Sequence, residues 1–180
     1  MSRGLPTTRD MIAQLIATPS VSCVHADIDM SNRALIDLVA QWAEGLGFDC
    51  EIQAVDDRKF NLIAHAGNGS DGLVLSGHTD TVPCDPDLWS SDPFTAREAD
   101  DRIYGLGSCD MKSFLALALT ASSKINLDKL RRPLTIVATA DEETTMSGAK
   151  LIADNGKKLG RYCVIGEPTG LVPIRQHKGN

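Results

Sequence analysis

The run Leu134-Thr135-Ile136-Val137-Ala138-Thr139-Ala140 constrains the fold more than any other stretch. Its apolar and β-branched residues do not alternate with polar ones, which describes a strand covered on both faces. Such a strand needs a layer above and below. Leu73-Val74-Leu75-Ser76, expected as the central strand, and Tyr162-Cys163-Val164-Ile165 read as further buried strands.

Helical patterns separate these runs. Pro6 to Ala17 carries the stripe Met11, Ile12, Leu15, Ile16, with Thr7 or Thr8 as cap and Pro19 as stop. Ser31 is the expected cap of a second amphipathic helix burying Leu35, Ile36, Leu38, Val39 and Trp42 and ending at Gly45 or Gly47. From about Met111 the residues Phe114, Leu115, Leu117, Ala118 and Leu119 predict a helix buried on most sides, and Ser147 to Asp154 a shorter one. Phe48 to Val55 with Asn61 to Ala66, and Phe94 to Glu98 with Arg102 to Tyr104, have the spacing of hairpins. Val172 to Lys178 is read as the beginning of one more strand.

Strands alternating with helices predict an α/β fold, a mixed, centrally parallel sheet flanked by helices. Ligands of such sheets sit outside the carboxyl ends of the strands, so the residues that follow each run matter most. Leu73-Val74-Leu75 leads into Ser76-Gly77-His78-Thr79-Asp80-Thr81-Val82-Pro83. In an extended segment residues i and i+2 point to one side, so His78 and Asp80 can address one site. Leu134 to Ala140 leads into Asp141-Glu142-Glu143, and Tyr162 to Ile165 into Gly166-Glu167. The glycine-rich Gly105-Leu106-Gly107-Ser108-Cys109-Asp110 delivers another acid to the start of a helix. So many carboxylates at one edge would repel one another unless a cation lay between them.

An imidazole with carboxylates suits zinc or a similar divalent ion. A bridging aspartate with a ligand on either side suits two such ions. Glu142 and Glu143 are adjacent and so are not expected to serve one ion; the natural division is a ligand and a general base. Asp80 is placed to hydrogen-bond the free ring nitrogen of His78 and orient it. His65, within a strand, is expected to be structural.

The totals limit the alternatives. A chain of 180 residues makes one ordinary domain or part of a larger one. A formal net charge of -6 argues against nucleic acid or an anionic membrane surface as partner. Met1-Ser2-Arg3-Gly4-Leu5-Pro6 has no signal-peptide pattern, and no run approaches the roughly 20 apolar residues that span a bilayer. Cys23, Cys50, Cys84, Cys109 and Cys163 lack any C-x-x-C spacing and read as reduced thiols of a cytoplasmic protein. Cys109 has no local histidine partner and is read as packing.

The segments Ser76 to Pro83, Tyr104 to Lys112, Ala138 to Glu143 and Gly166-Glu167-Pro168-Thr169 resemble the signatures of a two-metal amidohydrolase family. That family includes acetylornithine deacetylase, succinyl-diaminopimelate desuccinylase and carboxypeptidase G. Leu88-Trp89, Asp92-Pro93-Phe94-Thr95 and His177-Lys178-Gly179 are most similar to its deacetylase branch. The resemblance implies the catalytic-domain fold of the zinc-dependent exopeptidases. It also implies that His78 and Glu167 hold one metal, Glu143 the other, Asp110 bridges, Glu142 is base and then acid, and Asp80 orients His78. Two divalent ions are implied, zinc or else cobalt, with a cis peptide after Asp110. The implied reaction is hydrolysis of an N-acyl amino acid, N2-acetyl-L-ornithine to L-ornithine and acetate, within arginine biosynthesis. A desuccinylase or dipeptidase would use the same site.

The same resemblance implies a further metal-binding histidine far downstream and a lid domain that forms a homodimer. His25 and His65 lie too early for that histidine, and His177 falls in the strand leading to the lid. On this reading residues 1–175 are the N-terminal part of a catalytic domain and 176–180 begin the connection to the lid. The chain by itself is then expected to be weakly active or to bind metal without turnover.

Overall fold

The β-branched run Leu134–Thr139, and not the expected Leu73–Ser76 strand, takes the central place in the sheet. The structure, a computed structural model, describes residues 4–176. Its helices are α1 (Thr8–Ile16), α2 (Arg33–Leu46), α3 (Lys112–Ser122) and α4 (Ser147–Asp154). Its strands are β1 (Asp49–Ala54), β2 (Phe60–Ala66), β3 (Leu73–His78), β4 (Arg97–Ala99), β5 (Arg102–Tyr104), β6 (Leu134–Thr139) and β7 (Tyr162–Ile165). The main sheet has the order β1-β2-β6-β3-β7. β1, β2 and β6 are antiparallel neighbours, whereas β6, β3 and β7 run parallel. All residues of β6 are buried.

Leu62, Ala64 and Ala66 of β2 and Leu134, Ile136 and Ala138 of β6 belong to one core with residues of α1, α2 and α3. They are alternate positions and therefore share one face. α1 packs on α3 through the predicted stripe Met11, Ile12, Leu15, Ile16, all buried. Each such side chain contributes about 1.5–3 kcal/mol by leaving water. Thr7 caps α1, its Oγ1 accepting from Asp10 N at 3.2 Å. The small hairpin β4–β5 turns through Asp100 and Asp101, both with positive φ, as a tight two-residue loop requires.

Three expectations need correction. β7 is not buried: Tyr162 is 62% and Ile165 62% exposed. It pairs with β3 alone, so one edge and much of its surface lack a partner among the described residues. No strand forms over 172–176, and Lys178 lies outside the described residues. α2 begins without a side-chain cap. Ser31 Oγ accepts from Arg33 N at 3.2 Å, and the N-cap residue Asn32 turns its amide inward. That amide donates to Phe60 O and to Thr79 Oγ1, and its oxygen accepts from Phe60 N. A side chain that could have satisfied its own helix instead ties the helix to β2 and to the chain after β3.

The parallel strands β3, β6 and β7 end side by side, and every predicted acid lies beyond that edge or on the loop entering α3.

Candidate metal centre

His78 closes β3 opposite Thr139 of β6. The next residues stay pinned: Thr79 N donates to Thr139 O at 2.9 Å, and Thr81 N to Ser20 O at 3.2 Å. Ser20 Oγ donates to Thr79 O at 2.7 Å. Between these anchors Asp80 is 1% exposed. His78 Nδ1 lies 3.0 Å from the main-chain carbonyl of Asp80 and 3.5 Å from its carboxylate. The carboxylate is engaged elsewhere, accepting from Glu142 N at 3.1 Å and Glu143 N at 3.0 Å. Asp80 thus orients the ring mainly through its backbone and docks the glutamate loop with its side chain. The sequence suggests only the first of these duties.

The glutamate loop has a second brace. Asp141 accepts hydroxyl hydrogen bonds from Thr144, Thr145 and, at 3.0 Å, Ser147. Buried Asn61 accepts from Ala140 N at 3.0 Å and donates to Gly148 O at 2.9 Å. Neither residue is singled out by the sequence patterns. An acid followed at +3 and +4 by hydroxyls is a local signal for Asp141, but nothing near Asn61 in the chain points to its partners.

Glu167 follows β7, where Gly166 N donates to Ser76 O at 3.1 Å. A Cβ on Gly166 would lie 2.0 Å from Phe114 Cγ, so only glycine lets this loop close over α3. Asp110 precedes α3, and its peptide bond to Met111 is cis, as the resemblance implies. Lys112, two residues on, is buried; its ammonium donates to Leu15 O at 3.2 Å and Thr18 O at 2.9 Å.

All six predicted residues come together. His78 Nε2 is 3.0 Å from Asp110 Oδ1, 3.9 Å from Glu167 Oε1 and 4.0 Å from Glu142 Oε2. One donor atom each from His78, Asp110 and Glu167 fall within 4.8 Å of one another, as do one each from His78, Glu142 and Glu143. Either group could hold a divalent cation. The second also shows that adjacent glutamates can approach one point, so adjacency alone does not separate their duties. His65 is apart, its Nδ1 3.0 Å from Thr135 Oγ1 across the sheet; His25 is exposed, and His177 lies outside the described residues.

Burial by itself would depress His78, but the hydrogen bond and charge of Asp80, then Glu167 and Glu142, outweigh it and lift the imidazole to about 9. Burial raises Glu143, with Asp110 adding to it, and raises Glu167 against the pull of His78. Asp80 is held low: burial opposes ionisation, but the His78 ring and the two backbone N–H groups prevail. In the absence of metal, then, the acids hold a proton on the ring they surround. That is the behaviour of a donor set suited to a divalent cation, and these residues fit one.

A cleft of about 370 Å³ opens beside Asp110 and Glu143, walled by Thr81, Val82, Trp89 and Leu106. Cys109 lines it and is exposed rather than packed, correcting the sequence expectation. All five cysteines are free. A second hollow of about 240 Å³ between the start of α1 and α2 has no titratable lining and lies apart from the acids. No helix among the described residues is long and apolar enough to cross a membrane.

The chain is 51% identical to an acetylornithine deacetylase of Proteus mirabilis and 48% to one of Klebsiella pneumoniae, over its full length in both cases. It covers 47% and 48% of those proteins, so it spans about half the length of the curated relatives it matches. Among solved structures, an M20 family metallo-carboxypeptidase from Sulfolobus solfataricus superposes with a TM-score of 0.71 at 24% identity. That match covers 89% of this chain and 37% of the other. Human carnosine dipeptidase 1 superposes with a TM-score of 0.67 at 20% identity, covering 88% and 38%. Both share the fold. The model of peptidase family M20/M25/M40 matches residues 74–176, the stretch holding the five acids and the imidazole of the candidate site, and the chain belongs to that family.

Proposed function

We propose that this chain forms the metal-binding half of an amidohydrolase that converts N2-acetyl-L-ornithine and water to L-ornithine and acetate. The observation that carries the proposal is the convergence on His78: its Nε2 faces Asp110, Glu142 and Glu167 while its Nδ1 is held by Asp80. The acetylornithine deacetylases among its relatives support the choice of substrate. His78 and Glu167 would hold one divalent ion, Glu143 the other, with Asp110 between them; zinc suits this donor set, and cobalt is its usual substitute. When bound, the ions polarise the amide carbonyl and make the attacking water more acidic.

Glu142 takes a proton from that water as its oxygen bonds to the acyl carbon, then gives the proton to the departing α-amine as the C–N bond breaks. Its backbone N–H on Asp80 Oδ1 fixes where the carboxylate swings from. Asp80 holds the His78 tautomer that points Nε2 into the site. As in the family expectation, a longer protein containing this chain would work as a cytoplasmic homodimer.

The test uses that longer protein with acetylornithine and succinyl-diaminopimelate offered separately. Preference for acetylornithine, with Glu142→Gln lowering kcat by about 10²–10⁴-fold and leaving zinc affinity within a few-fold, is the expected result. Preference for the succinylated substrate, or full turnover by Glu142→Gln, would refute it.

A further inference from the structure

Lys112 is the largest fully buried side chain among the described residues, at 1% exposure. A buried ammonium is unfavourable unless its protons are taken up, and simple space-filling here would be served by Met or Leu. Two of its protons go to carbonyls, Leu15 O in the last turn of α1 and Thr18 O just beyond it. These lie at the negative end of the α1 dipole. The stem runs beneath the loop that carries Asp110: a Cβ on Gly107, whose φ is +80°, would come within 2.9 Å of Lys112 Cδ.

The segment that receives the ammonium also supports the opposite side of the centre. Ser20 Oγ donates to Thr79 O, Ser20 O accepts from Thr81 N, and Ser22 N donates to Thr81 O at 2.9 Å. These bonds bracket Asp80 and follow His78 directly. One stretch, residues 15–22, is therefore bonded to the chain beside each member of the His78–Asp110 pair: to Thr79 and Thr81 through Ser20 and Ser22, and to Lys112 through Leu15 O and Thr18 O.

We propose that Lys112 is a positioning residue that fixes the separation of Asp110 from His78 by anchoring the Asp110 loop to the segment after α1. It need not touch substrate or ion, and the proposal rests on the reading of Asp110 as a cation ligand. If the anchor favours cation binding, cation binding must favour the anchor by the same factor.

Cobalt(II) titration of the purified protein, followed by its visible spectrum, tests this in wild type, Asp110→Asn, Lys112→Met and Leu119→Ala. Leu119 is fully buried in α3, so its truncation matches any general loosening without touching the clamp. Lys112→Met is expected to weaken cobalt binding by about 10–100-fold and to shift the spectrum. Leu119→Ala should do neither at a comparable fall in Tm. Wild-type affinity and spectrum in folded Lys112→Met would overturn the proposal, as would an equal loss in Leu119→Ala. Failure of wild type to bind cobalt, or binding unaffected in Asp110→Asn, would instead defeat the underlying metal reading and this proposal with it. Hydrogen exchange on the wild type decides the matter even if Lys112→Met does not fold. Zinc should slow exchange of the amides between Leu15 and Ser22, and unchanged exchange there sinks the idea.

Discussion

Two glutamate-bearing loops face His78, and they are held in opposite ways. The loop after β6 leaves a strand buried on both faces and is fastened by Asp80, Asp141 and Asn61. The loop after β7 leaves an exposed edge strand and gains Gly166 N to Ser76 O and the contact of Gly166 with Phe114. One half of the centre is therefore built by burial and the other is set by an edge. Groups whose positions are over-determined by buried hydrogen bonds keep them without a ligand, whereas those on a thinly held edge gain most from one.

The strongest way to break this contrast is to remove its two carboxylates in turn. Asp80→Ala leaves the Glu142 and Glu143 backbone N–H groups without an acceptor and removes the carboxylate 3.5 Å from the buried imidazole. It should lower the stability of the metal-free protein by about 3–5 kcal/mol, read by chemical denaturation. Glu167→Ala should weaken zinc binding in calorimetric titration while changing metal-free stability by no more than about 0.5 kcal/mol. Equal destabilisation by the two would mean that both halves are held alike.

Acidity gives the next largest effect. The folded, metal-free protein keeps a proton on His78 up to about pH 9, while the unfolded chain releases it near 6.5. Between those values the folded state binds more protons, so His78's contribution is complete below about pH 6.5 and is lost as pH rises through about 9. Metal-free stability should fall over that window, and His78→Gln should flatten the fall. Zinc binding must expel the same proton, so affinity should rise over the window in which metal-free stability declines. Zinc affinity independent of pH there would show that the ring is not a ligand.

The smallest effect sharpens the comparison at the level of the strands. Val137 in β6 is 3% exposed and Val164 in β7 is 49% exposed. Val137→Ala should cost about 2 kcal/mol in denaturant unfolding, and Val164→Ala under about 0.5 kcal/mol. A large loss at Val164 would mean that the edge is covered in solution.

Much of this was legible in the chain itself. The class of fold, the helical stripes of α1 and α2 and the burial of β6 on both faces follow from the pattern of apolar residues, because the preference of a side chain for leaving water is a local property; that β6 rather than β3 takes the central place does not. That the six candidate residues would gather at one edge was legible for a related reason. Each follows an apolar run or a glycine-rich turn, and the ends of parallel strands share one edge whatever their order. The bracing was not legible: Asn61, Lys112 and the inward turn of Asn32 depend on partners tens of residues away, and no spacing encodes them.

The sequence by itself determined which residues prefer to be buried and which acids leave the sheet edge. Only the tertiary structure decided that the similar runs in β6 and β7 have different fates, one enclosed between β2 and β3 and the other, among the described residues, paired on a single side. An apolar pattern states a preference for leaving water. How many neighbours satisfy it is a matter of strand order, and strand order is settled by packing across the whole chain.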